Sequence, residues 1–110
     1  FETLLVDVVD GVAKITLNRP RKRNAMSPSL HRDMTRALAL LRDDDAVRVL
    51  VITGAEDHFC AGMDLKEFFI ALKDAPAEYE RVWRMAVEWR ARTLRNYPKP
   101  TIAMINGFCF

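Results

Sequence analysis

Residues 47–67 read VRVLVITGAEDHFCAGMDLKE, and the succession of residue types in this stretch decides the class of the fold. Val47 to Thr53 is interrupted only by Arg48 and stops at Gly54. A short run that is apolar on both faces predicts a strand buried between layers, as in parallel or mixed sheets. A loop from Gly54 to Gly62 follows, carrying Glu56, Asp57, His58 and Cys60. A helix is then predicted to begin at Met63-Asp64, with Asp64 and Glu67 near the positive end of its dipole. A buried strand that feeds a helix through a loop is an α/β arrangement.

Upstream, Leu4 to Val9 and Val12 to Leu17 are rich in β-branched residues and flank Asp10-Gly11, the two-residue signal of a type I′ hairpin. Pro20 ends the second strand, and the basic loop Arg21, Lys22, Arg23, Asn24 follows. Ser27 as N-cap and Pro28 at the first helical position open a helix. Leu30, Met34, Ala37, Leu38 and Leu41 give that helix one apolar stripe. Asp43, Asp44 and Asp45 read as a solvated turn, since three consecutive side chains cannot converge on one ion unaided.

Downstream, a long helix is predicted from Ala75-Pro76 to about Asn96, with Glu80–Arg84 and Glu88–Arg92 at the stabilising i, i+4 spacing. Thr101 to Ile105 reads as another short buried strand, and Asn106-Gly107 as a turn. The expected order is ββ-α-β-α-α-β in one unit, with no internal repeat and no linker.

Composition bounds what such a chain can do. Its 110 residues are half hydrophobic and 29% charged, which excludes a disordered or low-complexity polymer. Lys and Arg number 17 against 15 Asp and Glu, too even a balance to require a nucleic acid or a membrane as partner. Cys60 and Cys109 make neither a disulfide scaffold nor a zinc site, and reduced thiols in the cytoplasm are expected. The chain begins at Phe1 and not Met and stops at Phe110 within an apolar stretch, so it is expected to be part of something longer.

The loop His58 to Asp64 is the candidate for chemistry. Ala61 and Gly62 permit close approach, and the first N–H groups of a helix have no partner within it. A carbonyl oxygen that turns negative during a reaction would be stabilised there. The bland alternative is a tight strand-to-helix turn whose N–H groups meet water. The loop is neither the G-x-G-x-x-G dinucleotide fingerprint nor a P-loop.

The segments NRPRKRNAMSPSL (18–30), TGAEDHFCAGMDLKEFF (53–69) and YPKPTIAMINGFCF (97–110) resemble the crotonase, or enoyl-CoA hydratase/isomerase, superfamily across essentially the whole chain. Their wording is most similar to its hydroxycinnamoyl-CoA (feruloyl-CoA) hydratase-lyase branch. The resemblance implies the N-terminal part of a crotonase-like ββα spiral fold, with residues 1–110 as a single partial domain. It also implies that Met63 gives a backbone N–H to the thioester oxygen. By the same likeness, Lys22 contacts the CoA phosphates and Ala25 is a backbone neighbour of the CoA. Ala61, Gly62, Asp64, Leu65 and Lys66 wrap its adenine and pantetheine side. Phe68 stands where the branch has a tyrosine that holds the substrate's phenol; it keeps the ring without the hydroxyl. A second donor glycine and the acid/base glutamate are implied beyond residue 110.

The implied activity is hydration of a hydroxycinnamoyl-CoA followed by retro-aldol cleavage to an aromatic aldehyde and acetyl-CoA. The alternatives are a hydratase or isomerase of aliphatic enoyl-CoA and, in another class, a non-catalytic CoA-binding or interaction fragment. No cofactor is expected beyond the CoA thioester substrate, no metal, no nucleic acid and no membrane. The family implies a homotrimer or dimer of trimers. Arg19, Arg21 and Arg23 read as surface charges, His31 as a surface residue, His58 as solvated or hydrogen-bonded, Cys60 as a small loop residue, and Trp83 and Trp89 as packing or subunit-contact residues.

Overall fold

The computed structural model describes residues 1–110. Strands β1 (Leu4–Val9) and β2 (Val12–Leu17) form the expected antiparallel hairpin, with Val9 opposite Val12. Asp10 at φ 51° and Gly11 at φ 83° supply the left-handed pair that a type I′ turn needs. Helix α1 spans Pro28–Arg42, and Ser27 Oγ accepts the Leu30 N–H at 3.2 Å as its cap. Leu30, Met34, Ala37, Leu38 and Leu41 are all buried, as their spacing requires. They pack with Ala13, Ile15 and Leu17 of β2 and with Leu50 and Ile52 of β3 (Val49–Gly54) in one core. A fully buried leucine of this kind contributes roughly 1.5–3 kcal/mol relative to exposure.

The main sheet has the order β1-β2-β3-β5, where β5 is Thr101–Ala103. β3 lies parallel to β2, with Ile15 opposite Ile52, and β5 lies parallel to β3, with Ile102 opposite Val51. The loop after β3 contains a short strand, β4 (His58–Cys60), that periodicity does not announce. It pairs in parallel with β6 (Phe108–Cys109) in a second, two-stranded sheet. The chain therefore repeats one path, a strand in the main sheet followed by a strand in the small one. This repetition lies in the path of the chain and not in its sequence. Phe59-Cys60 and Phe108-Cys109 are its visible trace, too brief to register as sequence self-similarity.

Two asparagines fasten the turns of this spiral. Asn24, fully buried at φ 58°, donates to the Ala55 and His58 carbonyls at 3.1 and 2.8 Å. Asn106 donates to the carbonyls of Gly54 and Glu56 at 2.7 and 2.9 Å and accepts the Gly54 N–H at 3.2 Å. The same turn is thus gripped from both sides. Gly107 permits the close approach, because a Cβ there would lie 2.0 Å from the Asp57 carbonyl oxygen.

The long helix is present as α2 (Pro76–Val87), continued by a wider π-type segment over Glu88–Thr93. Its Glu80–Arg84 and Glu88–Arg92 pairs form at 2.5 and 3.7 Å. Val82, Ala86 and Trp89 are its buried face. His31 is fully buried, contrary to the surface expectation: its Nδ1 accepts the Trp89 Nε1–H at 2.9 Å. Burial, with the Arg90 charge second, lowers its pKa to about 4, so the ring is neutral. Trp89, 58 residues away, places it inside, and the helical pattern of α1 alone carries no such information. Tyr97 and Lys99 donate to the carbonyls of Leu38 and Leu41 at 2.6 and 2.7 Å, satisfying the last turn of α1.

β5 and β6 differ from expectation in burial. Every residue from 101 to 110 is exposed, Ile102 at 52% and Phe110 at 83%. An open apolar cleft of about 290 Å³ lies beside them, lined among others by Met26, Phe59, Cys60, Trp89, Leu94 and Phe110.

Candidate active site

The loop from Cys60 to Lys66 lies alongside the segment Arg19–Met26. Three backbone hydrogen bonds join the two: Ala61 N–H to the Arg23 carbonyl at 3.0 Å, Met26 N–H to the Gly62 carbonyl at 2.7 Å, and Asp64 N–H to the Met26 carbonyl at 3.0 Å. Met26 and Met63 stand opposite each other in this short parallel bridge. Gly62, at φ +95°, makes the turn that a side chain would strain. Its N–H donates to Cys60 Sγ at 3.4 Å.

The N–H groups of Ala61, Gly62 and Asp64 are thus engaged, and Met63, between them, donates to no protein group. Its N–H is directed away from the ladder by the same alternation that turns its neighbours inward. The helix begins later than expected: Leu65 is its first residue, and a π-type turn runs over Lys66–Ile70. Asp64 caps it, with Oδ1 accepting the Glu67 N–H at 2.9 Å.

Asp64 is buried and its other oxygen accepts from Arg19 Nη2 at 3.0 Å. Burial alone would raise its pKa. The Glu67 N–H, the Arg19 hydrogen bond and the Arg19 and Lys22 charges outweigh burial and hold it below the usual value. Arg19 is correspondingly not a surface charge. Its side chain is 12% exposed, its Nη1 donates to the Ala25 carbonyl, and Nη2 also lies 3.4 Å from Glu67. Nothing local marks Arg19 among four basic residues, because its partner is 45 positions away.

Lys22 ends a short 3-10 turn, Pro20–Lys22, and is exposed on a groove of about 370 Å³ lined by Asn18, Arg19, Pro20, Arg21 and Lys22. Leu65 and Lys66 are exposed, and Ala61, Gly62 and Met63 are half-buried. Three of the expected contact residues are engaged within the chain itself. Ala25 is buried, with its N–H given to the Lys22 carbonyl and its C=O held by Arg19. Asp64 is committed to Arg19 and Glu67 and shapes the loop. Phe68 is wholly buried, its ring 5.1 Å from Tyr79, 6.0 Å from Trp83 and 6.2 Å from His31. It packs the helix against α1 and α2 and has no surface for a substrate ring.

His58 stacks on Phe108 at 5.4 Å, with its Nδ1 buried and unpartnered, which replaces the solvated or hydrogen-bonded histidine expected. Cys60 lies in β4, buried, and burial raises its thiol pKa, so a thiolate nucleophile is disfavoured.

Residues 7–110 match the enoyl-CoA hydratase/isomerase family. The chain is 50% identical to the hydroxycinnamoyl-CoA hydratase-lyase of Pseudomonas fluorescens, over all of this chain and 40% of that protein. It is 34% identical to human enoyl-CoA delta isomerase 2, over 97% of this chain and 27% of that one. A carnitinyl-CoA dehydratase structure from Mycobacterium thermoresistibile superposes with a TM-score of 0.86 at 35% identity, covering 97% of this chain and 32% of the other. The chain spans 40% or less of the length of these relatives. With its spiral of paired strands and its ladder-held Met63 loop, the chain belongs to the enoyl-CoA hydratase/isomerase, or crotonase, family.

Proposed function

We propose that the protein carrying this chain is an acyl-CoA hydratase-lyase, with Met63 as one donor of its oxyanion hole. The free Met63 N–H, isolated among engaged neighbours, is the observation that carries this reading. Water adds across the double bond of a hydroxycinnamoyl thioester, hydroxyl to Cβ and proton to Cα, through an enolate whose charge sits on the thioester oxygen. Retro-aldol cleavage then breaks Cα–Cβ. The β-hydroxyl gives up its proton as the aldehyde forms, and Cα takes a proton to give acetyl-CoA. The same oxygen bears the charge in both steps, so one pair of donors serves both.

Lys22 meets the CoA phosphates from its basic groove, and the accessible parts of the loop Ala61 to Lys66, Asp64 apart, receive the pantetheine arm. A second donor and the proton-transferring carboxylate are supplied from outside residues 1–110, and no cofactor is needed. The hydroxycinnamoyl substrate is supported by the 50% identity to a hydratase-lyase. Because Phe68 is buried, the phenol hydroxyl is recognised by other residues.

The test is the full-length protein assayed with feruloyl-CoA and with crotonyl-CoA. Release of an aromatic aldehyde from the first is expected; turnover of crotonyl-CoA alone would establish the aliphatic reading instead. The isolated 110-residue chain is expected to show no turnover, which makes it at most a CoA-binding unit. We further propose a homotrimer, or a dimer of trimers, in the cytoplasm, checked by light scattering. No helix is long and apolar enough to cross a membrane.

A further inference from the structure

Arg19 spans the two segments that make the candidate site. We propose that Arg19 is a positioning residue that fixes the direction of the Met63 N–H by holding the Ala25 carbonyl and the Asp64 carboxylate at once. The proposal rests on the reading of Met63 as an oxyanion donor.

Met63 is bracketed by the two bonds that Met26 makes, one to the Gly62 carbonyl and one from the Asp64 N–H. Ala25 immediately precedes Met26, and Asp64 immediately follows Met63. The guanidinium therefore closes the bridge on both sides, one nitrogen to each segment. Its planar fork suits this, since two donors at fixed separation set a distance between their acceptors that a single ammonium does not set. Asp64 passes the constraint onward by capping the helix through the Glu67 N–H. With its donors engaged on Ala25, Asp64 and Glu67 and its side chain nearly buried, Arg19 acts on the reaction only through the loop.

A tilted donor costs more at the enolate than at the neutral thioester, because the hydrogen bond to the charged oxygen is the stronger and more direction-dependent one. Arg19 lines the Lys22 groove, but its guanidinium is committed to Ala25, Asp64 and Glu67, and Arg19→Lys keeps a cation there, so CoA binding along Lys22 is expected to change little. A loss in kcat with little change in KM is the resulting signature.

The experiment uses the full-length protein with Arg19→Lys, and with Asp64→Asn as a second variant should the first not fold. Three readouts are taken: steady-state kinetics with feruloyl-CoA, calorimetric binding of free CoA, and the absorption band of a bound hydroxycinnamoyl thioester. That band moves to the red when its carbonyl is polarised by aligned donors. The expected result is a fall in kcat of about 10- to 100-fold, the scale of a misplaced catalytic contact. KM and CoA affinity are expected to stay within about threefold and the red shift to shrink. Folded variants with the kcat and red shift of the native protein overturn the proposal. Parallel loss of CoA affinity and kcat also overturns it, since that is collapse of the loop. A native protein that neither turns over nor red-shifts any acyl thioester overturns the Met63 reading itself, a different and recognisable result.

Discussion

The core under α1 and the face formed by β5 and β6 are built from the same kinds of residue and end in opposite states. Leu30, Met34, Leu38 and Leu50 have no exposed surface, whereas Ile102, Met104, Ile105 and Phe108 are each 47% exposed or more. The first group is stabilised by apolar contact. The second is held chiefly by backbone and asparagine hydrogen bonds: Met104 N–H to the Ile52 carbonyl, Phe110 N–H to the Cys60 carbonyl, and the Asn106 clamp. An apolar run thus specifies a strand, while its burial depends on what else is laid over it.

Substitution sharpens this contrast most. In the 110-residue chain, Leu38→Ala is expected to destabilise by about 2–5 kcal/mol through the cavity it leaves. Ile102→Ala is expected to cost under about 1 kcal/mol by urea titration. Equal costs would break the comparison and show that β5 is covered in solution.

The core side also carries a pH dependence. His31 falls from an ordinary 6.5 to about 4 on burial, so between those values the unfolded chain binds a proton that the folded chain refuses. Stability is full above pH 6.5 and declines as pH falls to about 4, by about 3 kcal/mol at roughly 1.4 kcal/mol per pH unit. His31→Gln, which leaves an acceptor for Trp89, should flatten thermal stability over that window. A decline that persists in this variant would place its origin elsewhere.

On the open side, Asn106→Ala removes the donor to the Gly54 and Glu56 carbonyls and is expected to cost about 1–2 kcal/mol, more than any apolar truncation in β5. Hydrogen exchange at the Gly54 amide, which donates to Asn106, should rise first. Among the effects on catalysis, a modest one belongs to Lys22→Ala. It is expected to raise KM for an acyl-CoA by about 5- to 10-fold with kcat unchanged, as for a lost phosphate contact worth roughly 1 kcal/mol. A fall in kcat instead would move Lys22 out of the binding groove and into the positioning of Met63.

What the sequence made legible is what local chemistry decides. Asp10-Gly11 and Ser27-Pro28 specify their turn and cap within a few residues, and both were readable. Met63 was reached through resemblance, but the reason its N–H is free lies in the bonds its neighbours share with Arg23 and Met26. The positions of Arg19, His31 and Phe68 depend on partners such as Asp64, Trp89 and Tyr79, which no periodicity connects to them. The strands β4 and β6 are too short to show an alternation and exist only as a pair.

The repeated path of the chain bears on how the protein is made. β3 is added to β2 and β5 to β3, while β6 is added to β4, so each later strand docks on one already synthesised. A nascent chain leaving the ribosome can lay down every turn on a finished template, with no need to hold an early strand open for a late one. The Asn106 clamp on residues 54–56 ties the later turn to the earlier one.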